Sequence, residues 1–361
     1  MNLRFRSLLL SIAILTVAMA GGAQEAVDND LLTRPLPIRD QFLLNNGFYF
    51  FEPESAFVLS QRGWSAEVHL DDSNTFATSR LLGNSIEGAS VRSRAVDKLT
   101  TPPLNALDHV YFADGETHRL TFSVHHAITE RLELGVTVPV STIGGGWQDA
   151  LVEKFHDAFG LGRNARWSLT RNSETVYLAS GSTRYFQNGS SGTELGDVAL
   201  TAKYQLTQPS NDRVAYAIAG GVELPTGSAK KLAGSGSLDG GVQAIATRKM
   251  RFGILNASLG VLFLGPDRTL GTKRVAILTD TVGFTHLLTG ATSVTIQLTS
   301  SPSPFRDSGF IELKRRSNQL STGIEHRIGT RTAFHIAAIE NLFTFENSAD
   351  FGFSFGIRRI W

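Results

Sequence analysis

Residues 349–361 read ADFGFSFGIRRIW, and the reading of this stretch decides the fold. Phe351, Phe353, Phe355 and Ile357 alternate with Gly352, Ser354, Gly356 and Arg358, and Trp361 follows at the end. Period-two alternation sends the large side chains to one face of a strand. Chain ends fray and face water, so a soluble domain seldom places an aromatic run there. The aromatic face needs an apolar cover, either a protein core or lipid.

The same alternation recurs along the chain. LGDVALTAKYQL sets Val198, Leu200, Ala202, Tyr204 and Leu206 against Asp197, Ala199, Thr201, Lys203 and Gln205. RVAYAIAGGVELPTG, RLELGVTVPV, WSAEVHLD and SVTIQLT behave alike, while 251–266 and 272–288 are apolar on parts of both faces. This pattern favours strands. After residue 23 no apolar run reaches the roughly 18 residues of a membrane helix. A barrel wall hides in such a composition, because only every second side chain meets lipid.

The beginning of the chain agrees with export. MNLRFRSLLLSIAILTVAMAGGAQ has Arg4 and Arg6, an apolar run from Leu8 to Ala18 and small residues after it. That layout predicts a cleaved signal peptide over residues 1–23. The formal net charge is +1, and losing Arg4 and Arg6 leaves the chain nearly neutral, which argues for no nucleic-acid partner. With no cysteine the fold needs no disulfide.

Short turns at 127–130, 208–212, 247–251, 288–291 and 327–331 alternate with longer links at 81–108, 141–194, 227–237, 265–273, 302–309 and 343–349. Short periplasmic turns and longer outer loops mark an up-and-down outer-membrane barrel. The expectation is all-β: a single antiparallel transmembrane β-barrel of about twelve strands over residues 56–361. Residues 24–55, with RPLPIRDQF, read equally as a periplasmic lead-in or an inserted plug, and 81–108 reads as a hairpin above the membrane. The long loop 141–194 carries one helical pattern, 147–160, with Trp147, Leu151, Phe155 and Phe159 at steps of four. Asp149 suits its start. With His156, these residues form a candidate lid or gate over the lumen; the plainer reading is a helix packed on the rim.

The terminal pattern of Phe353, Phe355, Ile357 and Trp361 resembles the C-terminal signal of bacterial outer-membrane barrels, which implies barrel-assembly machinery as a partner. Arg359 stands where that signal usually carries an apolar residue, and it can snorkel. GGGWQDALVEKFHDAFGL with Arg166 downstream, LGDVALTAKY, VELPTG followed by GSGSLDGG, and IENLFTFENSADFGFSFG resemble the domain-of-unknown-function 3187 family. That resemblance implies an outer-membrane protein of a Gram-negative bacterium and carries no activity with it.

No chemistry-bearing motif competes with the barrel. GSGSLDGG has neither phosphate-loop nor dinucleotide spacing. No H-E-x-x-H occurs among the nine histidines, and His125 and His126 point to opposite faces of a strand. His69 and His125 fall singly on inner faces, so no metal site and no cofactor is expected. No G-x-S-x-G appears, although barrel enzymes do not need one. The inner faces hold Glu67, Asp71, Glu133, Asp197, Glu223 and Glu325 against Arg119, Arg131, Lys203, Arg213, Arg327 and Arg358. Acids and bases balance, which suits a mutually paired lumen or a polar passage without strong ion selectivity. Small inner residues at 215–221 leave room for a passage. The expected function is a non-enzymatic channel or transporter for a small solute, in contact with outer-membrane lipid. The alternatives are a lipid-acting enzyme at the outer rim and a structural or adhesive barrel that binds a partner through its loops.

Overall fold

The computed structural model describes residues 31–60, 62–87, 92–99, 107–160, 164–207, 213–343 and 346–361. The expected signal peptide and the first residues of the 24–55 segment lie outside the described residues. Fifteen strands form one sheet: β1 (Trp64–Thr78), β2 (Val110–Ala127), β3 (Leu132–Gly144), β4 (Thr175–Ser180), β5 (Thr183–Asn188), β6 (Thr193–Leu195), β7 (Val198–Gln205), β8 (Ala215–Leu224), β9 (Asp239–Met250), β10 (Gly253–Leu264), β11 (Val275–Thr289), β12 (Thr292–Pro302), β13 (Arg316–Ile328), β14 (Thr332–Asn341) and β15 (Phe351–Ile360). Twelve of them, all but β4 to β6, close an antiparallel barrel.

Closure runs through the stretch that opened the sequence reading. β15 pairs with β14 on one side and with β1 on the other, where Glu67 faces Arg358 and Leu70 faces Phe355. Trp64 and Trp361 exchange both backbone hydrogen bonds, at 2.9 and 3.0 Å. No edge is left in the wall, as lipid requires.

The side-chain period sorts the two faces. Val136, Leu200, Ile218, Val222, Val242, Leu259, Val282, Ile324, Ile336, Phe355 and Ile357 are exposed on the outside. Between them, Ser65, Asp71, Ser123, Ala217, Gln243, Gln297, Ser321 and Ser354 are buried on the inside. A continuous apolar surface of this extent is not tolerated in water and is what a bilayer covers. Trp64, Tyr204, Tyr216, Phe252, Phe334 and Trp361 are exposed near the short-turn end, in the position of an interfacial aromatic girdle. Among the described residues no helix is long and apolar enough to cross a membrane, so the spans are strands.

The long-loop end departs from the sequence reading in two places. Residues 81–108 contain no hairpin among the described residues. They form helices α1 (Arg80–Ile86) and α2 (Ala95–Leu99). Leu82, Ile86, Ala95 and Leu99 pack against Phe76 of β1, Phe112 of β2 and Tyr177 of β4, above the wall. The long loop holds helix α3 (Asp149–Phe159) and also the β4–β5 hairpin, which extends the sheet by pairing with Val110–Asp114 of β2. α3 begins two residues later than its apolar spacing predicts and ends at Gly160, whose φ of 65° is the left-handed cap a glycine adopts freely.

Candidate functional site in the barrel lumen

Residues 31–59 lie inside the barrel, and nearly all are buried. Pro35, Pro37 and Pro53 deny this stretch a regular ladder. Its backbone is satisfied by wall side chains instead, as buried backbone must be. The segment climbs first. The Leu31 carbonyl accepts from Arg358 Nη1 at 3.4 Å and the Leu36 carbonyl from Gln297 Nε2 at 3.3 Å. Gln41 donates its N–H to Gln319 Oε1 and its amide Nε2 to Asp71 Oδ2, each at 3.1 Å. Leu43 N–H then donates to Thr75 Oγ1 at 3.3 Å, near the long-loop end of β1.

The chain reverses there. A single 3-10 turn spans Leu43–Asn45. Arg39 Nη2 donates to the carbonyls of Asn45 (2.9 Å) and Phe48 (2.7 Å), tying the two sides of the bend. On the way back Tyr49 N–H donates to Asp239 Oδ2 (3.4 Å), Ala56 N–H to Thr247 Oγ1 (2.8 Å), Val58 N–H to Gln205 Oε1 (3.0 Å) and Leu59 N–H to Glu133 Oε2 (2.8 Å). Residues 31–59 thus run inside the barrel, past the expected start of the wall at residue 56, and the first wall strand begins at Trp64.

The tip of this plug is apolar and its stems are charged. Phe42, Leu43, Phe48, Tyr49 and Phe50 share one buried cluster with Tyr111, Ile143, Leu262, Leu264, Phe305, Phe310 and Leu313. Phe48 meets Phe305 edge-on at 6.0 Å, and Phe310 contacts both Phe305 (6.1 Å) and Tyr111 (6.0 Å). Each such ring is worth roughly 1.5–3 kcal/mol of burial, so the seal at the long-loop end anchors the plug's tip. Below it, Glu133 is the hub: Lys203 Nζ lies 3.1 Å away, His125 Nδ1 3.4 Å and Arg34 of the plug 3.9 Å. Lys203 also pairs with Glu54 of the plug at 2.8 Å. His69 lies 3.8 Å from Glu52 of the plug and 3.6 Å from Asp71.

The remaining inward charges divide. Arg358 bridges Glu67 (2.8 Å) and Glu325 (3.6 Å). Arg119 donates to the carbonyl and the side-chain oxygen of Asn46, both at 3.2 Å. With Arg39, Tyr49, Glu52, Asp197 and Glu223 it lines a cavity of about 40 Å³, room for a few water molecules. Asp197 also accepts from Gly227 N–H (2.6 Å) and Ser235 N–H (2.9 Å), fixing a loop. Arg131 and Arg213 do not reach the lumen. Both are exposed in turns just outside β3 and β8, where the strand period that placed them inside no longer applies. Arg327 sits at the short-turn rim and donates to the Gly290 carbonyl at 2.9 Å.

The small inner residues serve the plug. Ala215, Ala217 and Ala219 pack on Ala56 and Phe57, and a Cβ at Gly221 would stand 2.0 Å from Tyr49 Oη. Gly221→Val is therefore expected to displace Tyr49 and cost roughly 1–3 kcal/mol of overpacking. Limited proteolysis of the folded barrel reads this directly, as faster cleavage within 31–59 than in the parent; equal rates would refute it.

The α3 loop does not cover the lumen. Trp147, just before the helix, stacks on Phe353 at 6.2 Å, and Phe155 lies 5.9 Å from Phe351, both on the outward face of β15. Asp149 is buried and bonded to Arg166, Leu151 is exposed and His156 is half-buried. Phe159 ends the helix, and its side chain lies outside the described residues. A helical face of large apolar residues needs an apolar partner, and the outward aromatic face of β15 supplies it. Phe353 thus has a partner in Trp147, while Phe355, Ile357 and Trp361 remain exposed.

Comparison with known proteins agrees with this architecture. A family model described as a protein of unknown function, DUF3187, matches residues 103–361. Among solved structures, the COG4313 outer membrane channel from Pseudomonas putida F1 aligns with a TM-score of 0.55 at 12% identity, over 86% of this chain and 100% of that one. A Pseudomonas aeruginosa FadL homologue aligns with a TM-score of 0.34 at 10% identity, over 91% and 99%. No curated protein sequence matches the chain. Likeness at such identity concerns the fold alone, a closed antiparallel β-barrel.

Proposed function

The chain belongs to the DUF3187 family, a name without an activity, and from that premise we propose that it is a plugged outer-membrane conduit for small polar solutes. The observation that carries this reading is the insert at 31–59, held to the wall by side-chain contacts and packing inside a polar lumen. A barrel serving only as a scaffold needs no polar interior matched to a removable filler. The fold shared with a named outer membrane channel supports the same class. Passage then requires residues 31–59 to shift, and the lipid-facing wall supports an outer-membrane location.

The chain has no cysteine, so one pair can lock the plug cleanly. Ala56→Cys with Thr247→Cys joins positions whose backbone and side chain now meet at 2.8 Å. In liposome-swelling assays, oxidised protein is expected to pass no sugar or amino acid. Reduced protein under conditions that loosen the plug, such as low concentrations of urea, is expected to pass them. Equal permeability in the two redox states would end the proposal.

A further inference from the structure

The outward face of β1 and β2 carries polar residues where lipid-facing side chains belong. Asp72 and Asn74 continue the outward series of Trp64, Val68 and Leu70, and Glu116 and His118 continue that of Phe122 and Val124. The α3 loop folds down over them: Trp147 Nε1 donates to Asp72 Oδ2 at 3.0 Å, and Gln148 Nε2 donates to Asp72 Oδ1 at 2.8 Å. Glu116 Oε1 accepts the N–H groups of Trp147 and Gln148 at the start of α3. Gly146 permits this approach, for a Cβ there would collide with the Glu116 carboxylate at 1.9 Å.

We propose that Asp72, Glu116 and His118 form a divalent-cation site on the outer face of the wall. Three observations converge on it. One carboxylate oxygen from each acid and one His118 ring nitrogen lie within 4.8 Å of one another. The strand register explains why: Asp72 faces His118 directly across the β1–β2 ladder, and Glu116 is two residues from His118 on the same face. Next, Glu116 is fully buried and its Oε2 has no hydrogen-bond partner among the described residues. A buried carboxylate oxygen left unsatisfied is costly. Finally, the charge is incomplete. Arg166 is engaged by Asp149 (2.6 Å) and Asp350 (2.8 Å). Among the described residues Asp72 has only His118 as an ion-pair partner, at 3.0 Å, and Glu116 has none.

Two carboxylates and one imidazole suit a first-row transition ion, zinc or manganese. Calcium asks for six to eight oxygens, more than this cluster supplies. The His118 side chain is 33% exposed and gives an entry path. Bound there, the ion would sit between Asp72 and His118 and would clamp the start of α3 to the barrel through Glu116.

The test uses the full chain refolded in detergent, stripped with chelator and titrated with zinc chloride by calorimetry. One zinc per chain at micromolar or tighter affinity is expected. Asp72→Asn and His118→Ala are each expected to weaken binding at least tenfold, and His69→Ala, a lumen histidine, to leave it unchanged. Gel mobility before and after boiling checks that each variant is folded. Should a variant fail to fold, X-ray absorption of the zinc-loaded parent decides: a nitrogen and oxygen shell with one imidazole supports the site, and a shell of several imidazoles overturns it. Absence of saturable binding below millimolar zinc, or binding indifferent to both substitutions, also overturns it.

Discussion

Deleting residues 31–59 is expected to turn the filled barrel into a steady pore. Eight-stranded barrels are filled by their own side chains, whereas barrels of sixteen to eighteen strands hold an aqueous channel. Twelve strands fall between, and here the inward faces of β8, β9 and β15 are lined by residues as small as Ala217, Gly221, Gly241, Gly352 and Gly356. Such a wall cannot fill its own interior. The filler is the plug, with its aromatic tip at Phe42 to Phe50. Planar-bilayer recording of the deleted chain is expected to show a rise in conductance of roughly tenfold or more over the intact chain. The balanced inward charges remaining on the wall, Glu67 with Arg358 and Glu133 with Lys203 among them, predict weak selectivity between cations and anions. A deleted barrel that refolds, shifts on gels when boiled, and still passes no current would remove the conduit reading.

Arg166→Ala is expected to be the most damaging single substitution outside the lumen. Arg166 lies in a short helical turn at Asn164–Ser168 and is buried. It donates to Asp149 Oδ1 (2.6 Å), Asn74 Oδ1 (2.8 Å) and Asp350 Oδ2 (2.8 Å), and its guanidinium stands over the Phe76 ring at 4.6 Å. Burial alone would lower its pKa, but Asp350, Asp149 and Asp114 outweigh that and hold it above the usual arginine value. Removing one partner of such a cluster leaves buried carboxylates uncompensated, a loss of roughly 3–5 kcal/mol. Chemical unfolding of the refolded barrel, followed by tryptophan fluorescence, measures it. Arg166→Lys keeps the charge and loses the fork, so it should fall between the parent and Ala. A loss under about 1 kcal/mol for Arg166→Ala would mean the cluster carries little of the stability.

The wall was legible because lipid enforces the period of two: Val198 to Leu206 and Phe351 to Ile357 announce their faces one residue at a time. Loop and turn spacing supplied the strand number. The plug was open to two readings because residues 31–59 have no period at all; their order comes from wall partners such as Gln319, Thr247 and Glu133, hundreds or tens of positions away. Arg131 and Arg213 were misplaced because alternation was carried past the strand ends. The covered outer face was missed, yet it left a trace. Asp72 and Asn74 continue an outward series where hydrocarbon would reject them, and a polar pair at such positions implies a lid of protein. Glu116 and His118, spaced by two, are the same signal on the neighbouring strand.

The route of the insert sets how it can leave. Its first described residue meets Arg358 and Leu59 meets Glu133, so both stems stand at the same mouth of the barrel, and the tip from Phe42 to Phe50 reaches the far end. A segment that entered by one mouth and left by the other would be threaded, and could clear the bore only by pulling a free tail through it. This one is a doubled strap. A doubled strap leaves by one mouth still folded back on itself, with no covalent bond broken, once the hydrogen bonds, ion pairs and apolar seal that hold it to the wall give way.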